Sequence, residues 1–292
     1  MATIGNKPRL QGHEKFALRE GWINKGLEIL NNRENSNAFT RKDATDLFGI
    51  GSNMVKSLRY WMRAFGLTNS TGTELSEIGA LIAKYDPYLE QVFTLWIMHS
   101  YIAKNLKDAT TWYMYFNRCD ADDLSKQEIN RILLREIKQY AGEQKFSEKS
   151  LGNDIDVLLN MYSRNKMNQD PEDKNVSPFS QLELVKNING KYAKNHPDKK
   201  KFSEWIVLYE LSQMMQDTDS LSIETAVNGE NGLSKIYNLT SVMANDYFDR
   251  LDALDIIRVN RTAGLDVIYW SDSLKPSQVV EDYYKNCLQV KK

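Results

Sequence analysis

The sequence predicts a mainly α-helical protein built from winged-helix (helix-turn-helix) modules with short β-hairpins. Two observations support this fold class. Apolar residues recur at helical spacing through most of the 292-residue chain. The order helix, short helix, tight turn, helix and hairpin occurs near the amino terminus and returns in the last third of the chain. That order is typical of DNA-binding modules of the helix-turn-helix class.

The first copy of this order lies in residues 1–86, which we predict to be an N-terminal winged-helix domain. Apolar side chains at helical spacing define its helices, and Gly66 supplies a carboxyl-terminal cap for the longest one. The sequence Asn-Ser-Thr-Gly is a strong hairpin turn signal. The predicted elements are helices over 22–31, 42–48 and 53–65, a tight turn at 49–51, a hairpin across 69–72 and a helix over 76–85.

The rest of the chain is predicted to form a helical middle domain over 87–164 and a C-terminal winged-helix-like domain over 181–292. Residues 165–180 are polar and contain two prolines, so we interpret them as a linker or exposed loop. The C-terminal domain is predicted to open with a hairpin across the Asn-Gly pair at 189–190. It then repeats the helix order of the first domain within residues 222–270.

Positive charge is concentrated at the amino-terminal end of the chain. Residues 1–70 contain eleven Lys and Arg against six Asp and Glu, whereas the whole chain has a net charge of −1. A basic module on an acidic body is consistent with a nucleic-acid site at one end, although it also occurs in proteins that bind no nucleic acid. The overall balance, with a pI of about 6.4, argues against a general polyanion binder.

The residues that commonly build metal and catalytic sites are scattered. The two cysteines, Cys119 and Cys287, and the three histidines, His13, His99 and His196, have no ligand-type spacing. No Ser-His-Asp or Cys-His arrangement is indicated, so we predict no catalytic residues, no metal and no cofactor. The longest apolar stretch is too short to span a bilayer, and the amino terminus has no signal-peptide core. We therefore predict a cytoplasmic protein without a membrane partner.

The candidate DNA-binding surface is the helix predicted over 53–65 together with the turn before it. A recognition helix needs an apolar face for docking and an outer face that meets phosphates and base edges. Lys and Arg suit phosphates and guanine, whereas Asn suits adenine. Three basic residues of this helix share one face by their spacing. The predicted contact residues are Arg41, Lys42, Ser52, Asn53, Lys56, Arg59, Tyr60 and Arg63.

Alternatives to DNA contact remain open. The basic residues of this helix could form an ordinary solvated face, or the module could dock a partner protein. In the last third of the chain, the helix predicted over 241–251 contains Asp246 and Asp249. This acidity makes the second copy a poor reader of DNA and a better protein-docking unit. An enzyme with a dispersed site, which spacing does not reveal, is a weaker alternative.

Several motifs in the first half of the chain resemble one known family. The opening signature GHExFxLRxGW, the helix signature GxNMVxSLRYW and the segment DPYLE lie at 12–22, 51–61 and 86–90. On these motifs the chain is similar to the bacterial domain-of-unknown-function family 4007. The match is dense over about 10–120, and beyond that only the general layout is similar.

The resemblance implies a role but no established activity and no catalytic residues. Members of this family are often encoded beside sulfur-transfer enzymes of the phosphoadenosine phosphosulfate reductase type. They also neighbour DNA phosphorothioation and other phage-defence genes. We therefore expect a non-enzymatic accessory protein that binds double-stranded DNA in a bacterial DNA-modification or phage-defence system. Its protein partners would come from a defence or sulfur-transfer operon. The alternative is a protein-interaction adaptor whose winged-helix surfaces dock partner subunits.

Overall fold

The computed structural model describes residues 5–163 and 176–290. The chain divides between Asn195 and His196 into two compact units, here called the first and the second unit. Each unit is mainly helical and contains a small antiparallel sheet. The prediction of a mainly α protein with short hairpins is therefore confirmed. No helix in the described part of the chain is long and apolar enough to cross a membrane.

The first four helices of the first unit follow the bounds that periodicity predicts to within about two residues. Three helices of this unit follow a serine whose side chain accepts a hydrogen bond from the first turn of the helix. Ser76 accepts from the Gly79 N–H at 2.9 Å, and Ser125 forms a reciprocal capping box with Glu128. The helices are α1 (Trp22–Asn31), α2 (Ala44–Phe48), α3 (Ser52–Ala64), α4 (Glu77–Tyr85), α5 (Val92–Lys104), α6 (Thr110–Arg118), α7 (Lys126–Ala141) and α8 (Glu148–Ser163).

The sheet of the first unit joins distant parts of the sequence. Its strands β1 (Leu124–Ser125), β2 (Val185–Ile188) and β3 (Lys191–Lys194) have the antiparallel order β1-β3-β2. The hairpin predicted across the Asn-Gly pair is present, with Asn187 opposite Tyr192. It differs from the prediction in its place: because β3 pairs with β1, the hairpin belongs to the first unit and not to the C-terminal domain.

Part of the predicted linker lies outside the residues that the structure describes. Residues 164–175 are outside the described residues, while Pro178–Leu182 form a 3-10 helix with Phe179 fully buried. Phe179 stacks on Phe65 with ring centroids 5.0 Å apart. This part of the predicted linker is therefore packed into the first unit, because an apolar side chain anchors it there.

The second unit repeats the sheet arrangement of the first. Its strands have the order β4-β6-β5 and are antiparallel throughout. In both units a very short strand ends in a Leu-Ser pair whose serine caps the next helix, and a hairpin later in the unit completes the sheet. The elements are α9 (Glu204–Met214), β4 (Ser220–Ser222), α10 (Ile223–Asn228), α11 (Leu233–Ile236), α12 (Ser241–Ala253), β5 (Ile257–Asn260), β6 (Val267–Trp270) and α13 (Pro276–Val290).

The hairpin predicted after α3 is reduced to a single bridge. Thr68 pairs with Leu75, and no further residues on either side form a strand. Asn69 accounts for this compact turn, because its Oδ1 accepts hydrogen bonds from the Thr73 N–H at 3.0 Å and from the Thr71 hydroxyl at 2.8 Å. These local bonds take the place of a longer ladder between strands.

Candidate nucleic-acid interface

The turn before α3 leaves the start of that helix open. Gly49 ends α2 in the left-handed region (φ 62°), and Gly51 precedes the first residue of α3 in an extended conformation. Neither position has a neighbouring atom within 4 Å of an added Cβ. No side chain caps α3. The first N–H groups of the helix therefore have no side-chain cap, and the positive end of the helix dipole lies at the same place.

The inner face of α3 is fixed in an aromatic cluster. Trp61 is fully buried, stacks on His13 with ring centroids 5.7 Å apart, and donates its Nε1–H to the Phe16 carbonyl at 3.2 Å. His13 is itself held by Asp154, whose carboxylate lies 2.9 Å from its Nε2. Packing of this density leaves little freedom to rotate or tilt the helix. The outer face is therefore presented in one orientation.

Four of the predicted contact residues are exposed and unengaged. Within the described residues, none of their side chains makes a hydrogen bond or an ion pair. Three lie in the first two turns of α3, beside its open N–H groups. Lys56 supplies a positive charge to that end of the helix, and the two polar side chains can donate or accept hydrogen bonds. The four are Lys42, Ser52, Asn53 and Lys56.

Arg59 is partly engaged within its own chain. Its Nη2 donates a hydrogen bond of 2.5 Å to the Thr71 carbonyl. Gly72, at φ 70°, lies over its side chain, because an added Cβ there would be 3.1 Å from the Arg59 Nε. Burial, and secondarily the charge of Arg63, lowers the pKa of Arg59. The guanidinium still stays charged at neutral pH, but the turn restricts its reach.

Two other predicted arginines are ion-paired. Arg63 Nη2 lies 2.7 Å from Asp108 Oδ1, and both side chains are less than a third exposed. Arg41 makes a two-point contact with Asp43, through Nε at 2.9 Å and Nη2 at 2.6 Å. The hydrogen bond to Asp43 raises the pKa of Arg41. A phosphate would have to compete with these carboxylates, so each arginine offers less attraction than a free one.

The prediction that Tyr60 faces outward is wrong. Only 8% of this residue is exposed, and its ring packs edge-on against Trp61 and His13. An added Cβ at Gly12 would lie 2.4 Å from the same ring, so the glycine leaves room for it. Burial is also the main reason that the pKa of Tyr60 is raised well above its usual value. The amino-terminal segment covers this side of α3.

Sequence reasoning missed the partners that restrain the arginines. Thr71 and Gly72 lie in a turn that the sequence does predict, but nothing there indicates that the turn folds back over Arg59. Asp108 is 45 residues from Arg63 and belongs to no motif. Ion pairs at that separation depend on how α3 and the loop before α6 pack together. Because Arg59 and Arg63 already bind groups of this chain, α3 offers a phosphate less free positive charge than the sequence suggests.

The corresponding helix of the second unit has an acidic outer face. Asp246 and Asp249 of α12 are both exposed. Arg261, in the hairpin loop that follows, lies 2.7 Å from Asp249 and also donates to Asn245 at 2.8 Å. The positive charge of this loop is thus directed at the helix itself. An approaching phosphate would meet carboxylates on α12.

Comparison with known proteins gives a family and a fold. The family model described as "Protein of unknown function (DUF4007)" matches residues 10–284. A crystal structure of SspB is similar with a TM-score of 0.79 and 20% identity, covering 99% of this chain and 89% of that one. A magnesium ion-bound SspB structure is similar with a TM-score of 0.76 and 21% identity, covering 97% and 87%. No curated protein matches the chain.

Proposed function

This chain belongs to the DUF4007 family of proteins of unknown function, and we propose that it binds double-stranded DNA through the outer face of α3. The observation that supports this function is the exposed, unpaired Lys56 beside the uncapped start of α3. Helix starts attract phosphate oxygens through their free N–H groups, and an adjacent lysine adds charge. Ser52 and Asn53 stand next to these groups and can complete the contact with the DNA backbone or a base edge.

The arrangement of elements supports a winged-helix description of this chain. In the second unit, α9 is followed by β4, by the short helices α10 and α11, by the longer helix α12 and by the β5–β6 hairpin. The first strand of the unit, β4, pairs with the last, β6. The residues from α6 to β3 repeat this order. We propose that both are winged-helix modules and that the residues from α1 to α4 form a reduced version with a single bridge. Such modules use their third helix and the following hairpin against DNA or against proteins.

We further propose that this binding serves a bacterial DNA-modification or phage-defence system of the phosphorothioation type. That assignment rests on the genomic neighbours that the family resemblance implies. Magnesium is bound in one SspB structure. Among residues 5–163 and 176–290 of this chain, no three His, Cys, Asp or Glu side chains converge on a possible ion site. The absence of a metal from this protein stays a prediction.

Fluorescence anisotropy of a labelled duplex titrated with the full-length protein tests the DNA proposal. We expect binding that weakens steeply between about 50 and 200 mM salt, because phosphate contacts release counterions. Lys56→Gln should weaken binding and reduce the salt slope by about one unit. The matched control is Lys149→Gln, an exposed lysine of α8, which should bind like the unchanged protein. Absence of binding at low salt would reject the proposal.

A supercoiled plasmid incubated with the protein and magnesium separates binding from cleavage. Strands that stay intact would agree with an accessory role, whereas strand cuts would add a catalytic activity to the chain. A plasmid prepared with and without phosphorothioate linkages compares modified with unmodified DNA in the same assay.

The second candidate function is a protein-interaction adaptor, and the outer face of α12 favours it. Val242 is 73% exposed on this helix, beside the exposed Asp246 and Asp249. Leu265 in the following hairpin loop is 57% exposed. Apolar side chains among carboxylates suit a basic protein surface better than a phosphate backbone. If duplex DNA fails to bind, this face becomes the first surface to test with partner proteins.

A further inference from the structure

A rigid loop displays an aromatic side chain next to α1. The loop follows α4, and Tyr88 at its tip is 73% exposed. Asp86, which is almost fully buried, accepts hydrogen bonds from the Glu90 N–H at 2.8 Å, the Gln91 N–H at 3.1 Å and the Thr94 hydroxyl at 2.5 Å. These bonds hold both ends of the loop. Tyr88 is therefore kept in the solvent by a fixed backbone.

Tyr88 forms one side of a small cleft of about 220 Å³. The opposite side is one face of α1, where three polar residues follow each other at spacings of four and three and so line up along the helix. The cleft is lined by Asn24, Leu27, Glu28, Asn31, Ala83, Pro87 and Tyr88. Glu28 is the only charged residue in this lining.

The groups around the cleft are suited to accept hydrogen bonds and to attract positive charge. Glu28 is exposed, and within the described residues its carboxylate has no ion-pair partner. An aromatic face such as that of Tyr88 attracts cations through its quadrupole. A carboxylate and an aromatic face together match a cation that carries several N–H donors.

The volume and the charge of the cleft indicate which class of ligand it can bind. Clefts that bury whole small molecules commonly measure about 300–1,000 Å³, so this one suits a single side chain better. The carboxylate of Glu28 disfavours a phosphate, and hence a nucleic-acid backbone, at this place. A guanidinium can stack flat on an aromatic ring and direct several N–H groups at acceptors in one plane, which an ammonium group does not do.

We propose that this cleft binds an arginine side chain of a partner protein. The guanidinium stacks on the Tyr88 ring and forms a two-point pair with the Glu28 carboxylate. Ala83 and Pro87, which are partly exposed in the lining, contact the methylene groups of the arginine stem. This site is independent of the DNA-binding face proposed for α3, since it uses α1 and the loop after α4. It gives the protein a second surface, for a protein partner.

The test uses full-length protein and three short blocked peptides: acetyl-Gly-Arg-Gly-amide, its citrulline analogue and its lysine analogue. Citrulline has nearly the same shape as arginine but no charge. Saturation-transfer NMR titration should give an affinity for the arginine peptide at least about fivefold higher than for the citrulline peptide. A lysine peptide should bind more weakly than the arginine peptide. No binding at millimolar peptide, or equal binding of arginine and citrulline or of arginine and lysine, would overturn the proposal.

Three variants separate the contributions of the cleft. Tyr88→Ala and Glu28→Gln should each weaken the arginine peptide at least about fivefold, whereas Tyr88→Phe should keep binding within about twofold because the ring face remains. Tyr269→Ala removes an exposed tyrosine of the second unit and serves as the control. All four changes lie at partly or fully exposed side chains, so circular dichroism should report an intact fold. Unchanged binding by Tyr88→Ala would also overturn the proposal.

Discussion

The helices α3 and α12 have the same length and the same surroundings in sequence, yet their outer faces differ in charge. Each has thirteen residues, follows a short helix and precedes a turn. The residues of α3 include three basic and no acidic side chains, whereas those of α12 include three aspartates and one arginine. Thr240 caps α12 through its side chain, while α3 starts without such a cap. In α12 the threonine therefore takes up one of the first N–H groups, whereas in α3 no side chain takes up any of them.

This contrast teaches that the inner and outer faces of such helices serve separate purposes. The inner faces of both are apolar and buried, because each unit needs a core. The outer faces are free of that requirement, so their charge and capping can differ between units while the fold stays the same. The local order of elements therefore identifies the helix that presents a surface, and the side chains on that surface decide what binds.

The largest expected effect comes from equal changes to the two inner faces. Leu58 of α3 and Leu251 of α12 are both almost fully buried. Leu58→Ala and Leu251→Ala should each lower the free energy of unfolding by about 2–5 kcal/mol, through lost apolar burial and a residual cavity. Urea denaturation followed by circular dichroism measures both. If either variant lost less than about 1 kcal/mol of unfolding free energy, the two inner faces would not contribute equally to stability.

The turns after the two helices should respond differently to the same change. Gly72 (φ 70°) and Gly264 (φ 76°) both have left-handed backbones, but only Gly72 has neighbours within 4 Å of an added Cβ, namely the side chains of Arg59 and Arg63. Strain alone should cost about 1–2 kcal/mol for alanine at either site. Gly72→Ala should cost more than Gly264→Ala in thermal unfolding, since the arginines must also move. Equal costs would mean that the turn does not restrain them.

Charge reversal on each outer face tests the difference between the helices directly. Lys56→Glu should weaken duplex DNA binding about tenfold, which corresponds to about 1.4 kcal/mol, because it removes one attraction and adds a repulsion. Asp246→Lys on α12 should change DNA affinity by less than about twofold. Anisotropy titrations at one fixed salt concentration measure both. A larger effect from the change on α12 would reverse the assignment of the DNA-facing helix.

The smallest expected effect comes from removing the ion pair between Arg63, near the carboxyl end of α3, and Asp108. Arg63→Ala should lower stability by about 0.5–1 kcal/mol, because the pair with Asp108 is only partly shielded from water. It should reduce DNA affinity less than Lys56→Gln does, since Asp108 already takes part of the charge. Arg63→Lys is the control that keeps the charge. Stronger loss of DNA binding from Arg63→Ala than from Lys56→Gln would indicate that the arginine leaves Asp108 to contact DNA.

Local signals account for the parts of the fold that were predicted well. The bounds of α1 agree with periodicity, and the hairpin across the Asn-Gly pair lies where its turn residues place it. The strands β1 and β4 were missed, because two or three residues are too few to show an alternating pattern. Their existence depends on partners more than forty positions away in the chain. The division between the units was missed for the same reason.

The candidate site was predicted in outline and corrected in detail. Spacing alone places Lys56, Arg59 and Arg63 on one side of a helix, and the structure agrees. Spacing does not reveal that Asp108 and the Thr71 carbonyl bind two of the three, or that the amino-terminal segment covers Tyr60. The surface that remains open is centred on Lys56 and the start of α3, a smaller area than the eight predicted residues suggest.

The sequence by itself determined where the helices and turns form and how charge is divided between α3 and α12. These properties depend on residues within about four positions of each other, which share a helix face or a turn. The tertiary structure decided which basic side chains are free, which strands pair and that Tyr60 is buried. Those outcomes depend on contacts between segments far apart in the chain. Because burial and ion pairing are set by the atoms that pack around a side chain, no local pattern specifies them.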